Sequence, residues 1–152
     1  MKAVVQRVKQ SSVSVSGRVH SSIQAGMLIL LGVHEEDKDH DAEVLADKCA
    51  ALRIFDDDGG KMNLSVKDTG GSAMVVSQFT LYGDARKGNR PNYMQAAKPE
   101  LAGRLYDYFV RRLESNIGTG KVATGIFREM MDVELINDGP VTIIIETRVQ
   151  HG

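Results

Sequence analysis

The chain has 152 residues, 42% of them apolar and 26% charged, and its 19 lysines and arginines nearly cancel 20 aspartates and glutamates for a net charge of −1. That length buries a core without a disulfide or metal staple, and the single cysteine, Cys49, excludes both an intramolecular disulfide and a thiolate zinc site. The charge balance excludes coating of nucleic acid or an anionic membrane by excess charge alone. With no secretory signal and no run near the ~18 apolar residues of a membrane span, a cytoplasmic protein with no membrane partner is expected.

Ala3 to Val8 and Ser12 to Ser16 are predicted as two short alternating strands, followed by a turn at Ser16-Gly17-Arg18 and a third strand through Ile23. Gly26 to Val33 is a continuous apolar run bounded by glycine, the pattern of a central strand buried on both faces. Between Asp41 and Phe55 the residues Val44, Leu45, Cys49, Leu52 and Phe55 recur at spacings of three to four, which predicts an amphipathic helix capped by Asp39 or Asp41. Cys49 falls on its apolar stripe and is read as a small buried hydrophobe. Asp56-Asp57-Asp58-Gly59-Gly60 lacks the ligand spacing and distal glutamate of an EF-hand, so it is read as an acidic turn. Ser72 to Leu81 is the next predicted strand. A second helix starts at Ala96 or Pro99 and runs to about Ser115, with Leu101, Leu105, Phe109 and Leu113 every four residues and Pro99 in the first turn. Gly118 and Gly120 end it. A strand near Lys121 to Ile126 and two more at Met131 to Ile136 and Val141 to Thr147 follow, the last two separated by the turn signal Asn137-Asp-Gly-Pro140. Without repeats, linkers or low-complexity stretches, residues 1–152 are expected to form a single α+β domain, mostly antiparallel sheet with two principal helices.

Charge is unevenly placed along this chain. Glu35 to Asp58 holds ten acids against three bases, a local net of −7, whereas Asp84 to Arg112 holds seven bases against three acids, a net of +4. The first eighteen residues add Lys2, Arg7, Lys9 and Arg18 with no acid. Two basic regions in a neutral chain suit docking of one defined anion, such as an RNA end; the alternative is a pair of solvated faces.

Conventional hydrolytic machinery is missing from the sequence. His20, His34, His40 and His151 sit in no metal-ligand spacing, and there is no GxSxG elbow, P-loop or dinucleotide fingerprint, so neither a metal nor a cofactor is expected. Two polar segments interrupt apolar strands instead. In Ser77-Gln78-Phe79-Thr80-Leu81 a period of two places Ser77, Phe79 and Leu81 on one face and Gln78 and Thr80 on the other. Ser77 and Thr80 can act on one atom only if the strand bends or ends between them; otherwise their hydroxyls cap a strand end. In Asn137-Asp138-Gly139-Pro140-Val141-Thr142 a glycine before proline frees the backbone carbonyls to be aimed, and a cis Gly-Pro bond, which sequence does not assign, would turn them sharply. The alternative there is a plain hairpin turn.

Met1-Lys-Ala-Val-Val-Gln-Arg-Val8, Gly32-Val33, Ser77-Gln-Phe-Thr-Leu81, Lys87-Gly-Asn-Arg-Pro91 and Asn137-Asp-Gly-Pro-Val-Thr142 together resemble the D-aminoacyl-tRNA deacylases, the D-tyrosyl-tRNA deacylase family, over nearly the full length. The resemblance implies an α+β fold with a mostly antiparallel, barrel-like core. It implies hydrolysis of the ester joining a D-amino acid to the 3′ terminal adenosine of tRNA, and of glycine mischarged onto tRNA for alanine, with release of the amino acid and tRNA. Chiral proofreading, a step of translation quality control, would be done by a homodimer with active sites at its interface. Each site would combine Ser77, Gln78, Phe79 and Thr80 of one chain with the Gly-Pro-Val-Thr turn of both, the Gly-cis-Pro pair Gly139 and Pro140 reaching across the dimer as the chiral filter. A rigid backbone wall rejects an L side chain, admits glycine and leaves the outward D side chain unread. Catalysis would be assisted by the 2′-hydroxyl of the RNA, with backbone N–H groups near Phe79 and Thr80 stabilising the oxyanion; Thr80 as covalent nucleophile is the competing mechanism. Phe127 and Met131 would line the terminal-adenosine pocket.

Where the family usually reads Phe-Gly-Ala, this chain has Phe127-Arg128-Glu129, which puts two long charged side chains where the family approaches the terminal adenosine; Arg128 either meets a phosphate or is a surface substitution. Two other readings remain. One is a relative that edits L-alanine through a trans Gly-Pro, against which Phe79 speaks, and the other is a non-catalytic nucleic-acid-binding module of the same fold.

Overall fold

The computed structural model describes residues 1–148, which leaves His151 outside the described residues. The first strand, β1 (Lys2–Val15), turns through Ser16 and Gly17, both at positive φ, into β2 (Arg18–Ile23), a two-residue hairpin of the kind that suits twisted strands. The predicted break between Val8 and Ser12 is therefore not a break. It marks a handover: on one edge β1 pairs through Lys2 to Val8 with β3 (Gly26–Gly32), and through Ser11 to Val15 with β2. β3 is buried along its apolar run and lies parallel to β6 (Ser72–Ser77), which in turn pairs in parallel with β7 (Val122–Thr124).

On its other edge β1 pairs along nearly its whole length with β8 (Asp132–Glu146). The last two predicted strands are thus one. Asn137-Asp-Gly-Pro140 is not a hairpin turn but a wide bulge in which Asp138 to Val141 lie opposite Arg7 alone. An edge strand tolerates this insertion because proline need not donate to a ladder on its free side. The remaining sheet runs in the order β2-β1-β3-β6-β7, and the Ser21 hydroxyl of β2 donates to the Thr124 carbonyl of β7 (2.7 Å), curling the sheet into a nearly closed barrel.

Two long helices cover one face. The first, α1 (Asp39–Ala51), is capped at Lys38, whose N–H donates to the Asp41 carboxylate (2.9 Å), so Asp41 acts from inside the first turn and not as the cap residue. It stops before Phe55, which lies in β4 (Phe55–Asp56) paired with β5 (Met62–Leu64). The acidic cluster is the turn of that hairpin, with the Asp57 carboxylate accepting from the Gly59 and Lys61 N–H groups. A short third helix, α2 (Val66–Thr69), is capped by Ser65 and Asp68 in a reciprocal box. The second long helix, α3 (Pro99–Ile117), packs Leu105, Phe109 and Leu113 with Leu45 and Cys49 against Val5, Ile29 and Val75 of the sheet. Burial pushes the Cys49 thiol up to about 12, so it is a core hydrophobe with no thiolate to offer.

Candidate active site

β6 delivers Ser77 to the mouth of the barrel. The strand ends there, earlier than predicted: the Gln78 N–H makes the last ladder bond, to the Leu31 carbonyl (2.8 Å), and the chain then tightens into a 3-10 turn, Phe79–Tyr82. Apolar alternation continues through Leu81 but serves different packing. Tyr82 is buried edge-on to His34, and Leu81 sits over Gly32, where a β-carbon would stand 3.0 Å from that of Leu81. The strand-face separation of Ser77 and Thr80 therefore does not hold. Gln78 Nε2 donates to Thr80 Oγ1 (3.0 Å), while Phe79 and Thr80 are exposed and donate their backbone N–H groups to no protein acceptor among the described residues.

Phe127 and Met131 lie at the same end. Phe127 occupies a turn closed by the Glu129 N–H on the Ile126 carbonyl (3.2 Å), packs on Gly103 of α3 and stacks with Tyr106 at 6.1 Å. The Tyr106 hydroxyl donates to the Val75 carbonyl (2.7 Å), and burial raises its pKa. The Gly125 N–H reaches the same carbonyl (3.3 Å), and Met131 covers Gly125 so closely that a β-carbon there would meet its sulfur. The parallel pairing of β6 with β7 thus sets both residues beside the strand that carries Ser77.

Gly139 and Pro140 are elsewhere. Their peptide bond is cis, both residues are exposed, and the bulge is held by side chains outside the Gly-Pro pair. Arg7 Nε donates to the Asp138 carbonyl (2.8 Å) while its Nη1 donates to the Ile54 carbonyl (2.8 Å); Asn137 Oδ1 accepts from the Val141 N–H (2.7 Å). Measured along the curved sheet, the bulge is about four residues (~13 Å) and three strand spacings (~14 Å) from Ser77, a path of roughly 20 Å. One chain gathers Ser77, Gln78, Phe79 and Thr80 and sets Phe127 and Met131 alongside the same strand in two different core clusters, but it leaves Gly139 and Pro140 apart. Arg7 and Asn137 lie inside two of the motif segments, yet the motifs assign them no role; Arg7 stands out in sequence as the one charge between Ala3 and Val8. Lys2, whose Nζ donates to the Leu81 carbonyl (3.2 Å) over the Tyr82 ring, is a further residue the pattern alone does not single out. Among the described residues no three of His, Cys, Asp or Glu gather as metal ligands, and no helix is long and apolar enough to cross a membrane.

The family model described as D-Tyr-tRNA(Tyr) deacylase matches residues 4–146. A Koribacter versatilis protein named D-aminoacyl-tRNA deacylase is 53% identical over 148 residues, 97% of this chain and 98% of its own. The Halalkalibacterium halodurans protein of the same name is 54% identical, over 97% and 100% of the two chains. Among solved structures, a c-Myc DNA unwinding element binding protein superposes with a TM-score of 0.94 at 39% identity, covering 98% of this chain and 100% of that one. A probable eukaryotic D-amino acid tRNA deacylase shares the fold, with a TM-score of 0.82 at 15% identity over 95% and 97%.

Proposed function

Because the chain belongs to the D-Tyr-tRNA(Tyr) deacylase family and is a hydrolase of aminoacyl-tRNA, we propose that it cleaves D-amino acids, and glycine mischarged onto tRNA for alanine, from the terminal adenosine, releasing amino acid and tRNA. It does so in the cytoplasm as a homodimer. The observation that carries the shared site is that the exposed Gly139–Pro140 bulge lies three strands away from Ser77–Thr80, a path of roughly 20 Å along the sheet: a bulge set apart from its own barrel mouth can be offered to a second copy. In such a dimer the backbone atoms of the bulge form the wall against an L side chain. Rejection then follows from the wall, admission of glycine from its lack of a side chain, and indifference to the D side chain from its outward direction.

The chemistry rests on backbone and RNA. The free N–H groups of Phe79 and Thr80 suit a developing oxyanion, a type of donor worth about 2.7–4 kcal/mol in the transition state. Thr80 lacks what a nucleophile needs, since its hydroxyl accepts from the Gln78 amide and has no basic partner among the described residues. Gln78 and Ser77 position the substrate, Phe127 and Met131 receive the adenosine, and the adjacent 2′-hydroxyl assists attack on the ester.

One assay tests this reading: ester loss from matched D-Tyr-, L-Tyr- and Gly-tRNA, repeated with Thr80→Ala and with a 2′-deoxy terminal adenosine. Release from the D and glycyl substrates alone, retained by Thr80→Ala and abolished by the deoxy end, is the expected result. A dead Thr80→Ala with a hydrolysed deoxy substrate installs the threonine mechanism, release of L-alanine from its tRNA identifies the L-editing relative, and no release from any substrate returns a binding module.

A further inference from the structure

Resting on the deacylase reading, we infer that the loop from Asp84 to Gln95 docks the single-stranded nucleotides immediately upstream of the substrate's terminal adenosine. In this assignment Lys87 and Arg90 take backbone phosphates and Tyr93 offers a stacking face. The loop holds the Lys87-Gly-Asn-Arg-Pro91 segment, to which the chemistry of the ester gives no role.

The loop is fixed at its base. Asp84 and Asn92 exchange two backbone hydrogen bonds of 2.8 Å at its base, the Asn92 side chain accepts from the Met94 N–H (2.8 Å), and Gly88 takes the tip at a φ of 79°. Beyond the base, the Gln95 carbonyl accepts from the Glu35 N–H and the Ala97 N–H donates to Val33, fastening the loop to the end of β3. Arg86 is already engaged: its guanidinium makes a two-pronged contact with Asp84, whose carboxyl it holds down at about 2. Lys87 and Arg90 are exposed and have no acidic partner among the described residues, so the loop presents two uncompensated positive charges.

Its position fits a strand leaving the ester. Tyr93 meets Phe79 edge to face at 5.3 Å, so the loop adjoins the site directly. Phe79, Tyr93 and Met94 are 57%, 40% and 78% exposed, and Tyr93 and Met94 share their loop with the two free cations. That combination is how proteins bind unpaired nucleotides without reading sequence: bases stack on rings while cations follow the backbone. A concavity of about 350 Å3 between the 3-10 turn and the loop base, bordered by Lys2 and Arg86, leaves room for the chain to pass.

The test compares D-aminoacyl-tRNA with D-aminoacyl-adenosine, which has no upstream phosphate, over a range of salt. For Lys87→Gln/Arg90→Gln the KM for the tRNA substrate should rise roughly 10- to 100-fold, and the salt dependence of log kcat/KM should become shallower by about 1.4, for two single-strand phosphates. Hydrolysis of the short substrate should be far less affected. Tyr93→Leu should raise the tRNA KM roughly tenfold without changing the salt slope. Lys87→Arg/Arg90→Lys should restore the tRNA KM, while Lys61→Gln/Lys67→Gln, which removes the same charge elsewhere, should leave the slope unchanged. Equal loss on both substrates, or loss accompanied by dissociation of a dimer, overturns the inference in favour of a structural or subunit contact. An active wild type with unaffected variants overturns it alone, and a wild type inert on both substrates overturns it together with the deacylase reading.

Discussion

Ser77–Thr80 and Gly139–Pro140 are held in place by different forces. The first segment ends a strand buried from Ala73 to Val76 and is fixed from beneath by Gly32 and Tyr82, so moving it means repacking the barrel mouth. The second interrupts an edge strand of alternating exposure and is fixed by two polar residues, Arg7 and Asn137. A core-held segment loses its shape when the domain unfolds, whereas a segment held by side-chain hydrogen bonds can open locally. On the proposed division of labour, rate is therefore tied to the core and chiral selectivity to a few polar contacts.

Arg7→Met should break this comparison most. It keeps the apolar stem but leaves the Asp138 and Ile54 carbonyls without their donor, a cost of about 2–4 kcal/mol for two partly buried acceptors. The denaturant midpoint should fall, and the ratio of D- to L-aminoacyl-tRNA hydrolysis should fall further than the rate on the D substrate. Unchanged selectivity at reduced stability would show that the bulge keeps its shape without Arg7.

Gly32→Val should act on the other side. Its β-carbon starts 3.0 Å from that of Leu81 and 3.3 Å from the Gln78 carbonyl, so the 3-10 turn must shift, with an overpacking cost of about 1–3 kcal/mol. Turnover of D-aminoacyl-tRNA should drop while discrimination against L survives. If the variant instead loses selectivity at full rate, the two roles are assigned the wrong way round.

Much of the core-held region can be read in advance, and much of the polar-held region cannot. Gly26 to Val33 and the every-four apolar spacing of α3 predict their elements because burial dictates both pattern and structure. The same logic overreaches where the apolar spacing outlives the element: Phe55 continues the stripe of α1 yet turns into β4, and Phe79 and Leu81 continue β6 yet belong to a 3-10 turn. β8 fails for the opposite reason. Asn-Asp-Gly-Pro carries every local turn signal, and only the long partner β1, with Arg7 filling the gap, lets one strand run through it. The family motifs locate Ser77–Thr80 and Gly139–Pro140 in the chain, but their separation emerges only from strand register. That Phe127 and Met131 accompany Ser77 depends likewise on the parallel β6 and β7 pairing, which no local pattern encodes.

The turn from Ile126 to Glu129 stands between the two regions in kind and gives the smallest effect. Phe127 is held by packing, but Arg128 adopts a φ of 70°, a left-handed conformation that costs an ordinary L-residue about 1–2 kcal/mol and that glycine adopts freely. Arg128→Gly should therefore stabilise the protein by about 1 kcal/mol, raising the thermal midpoint by about 2–4 °C for a chain of this length. Selectivity for D over L should stay the same, because Arg128 is not among the residues that hold the Gly139–Pro140 bulge in shape. The KM for aminoacyl-tRNA then separates the two roles open to Arg128. A rise alongside the gain in stability means that an RNA contact offsets the backbone cost, and an unchanged KM makes the arginine a surface substitution that the fold tolerates. A variant no more stable than the parent would show that the turn relaxes around Arg128 and that the left-handed backbone carries no cost here.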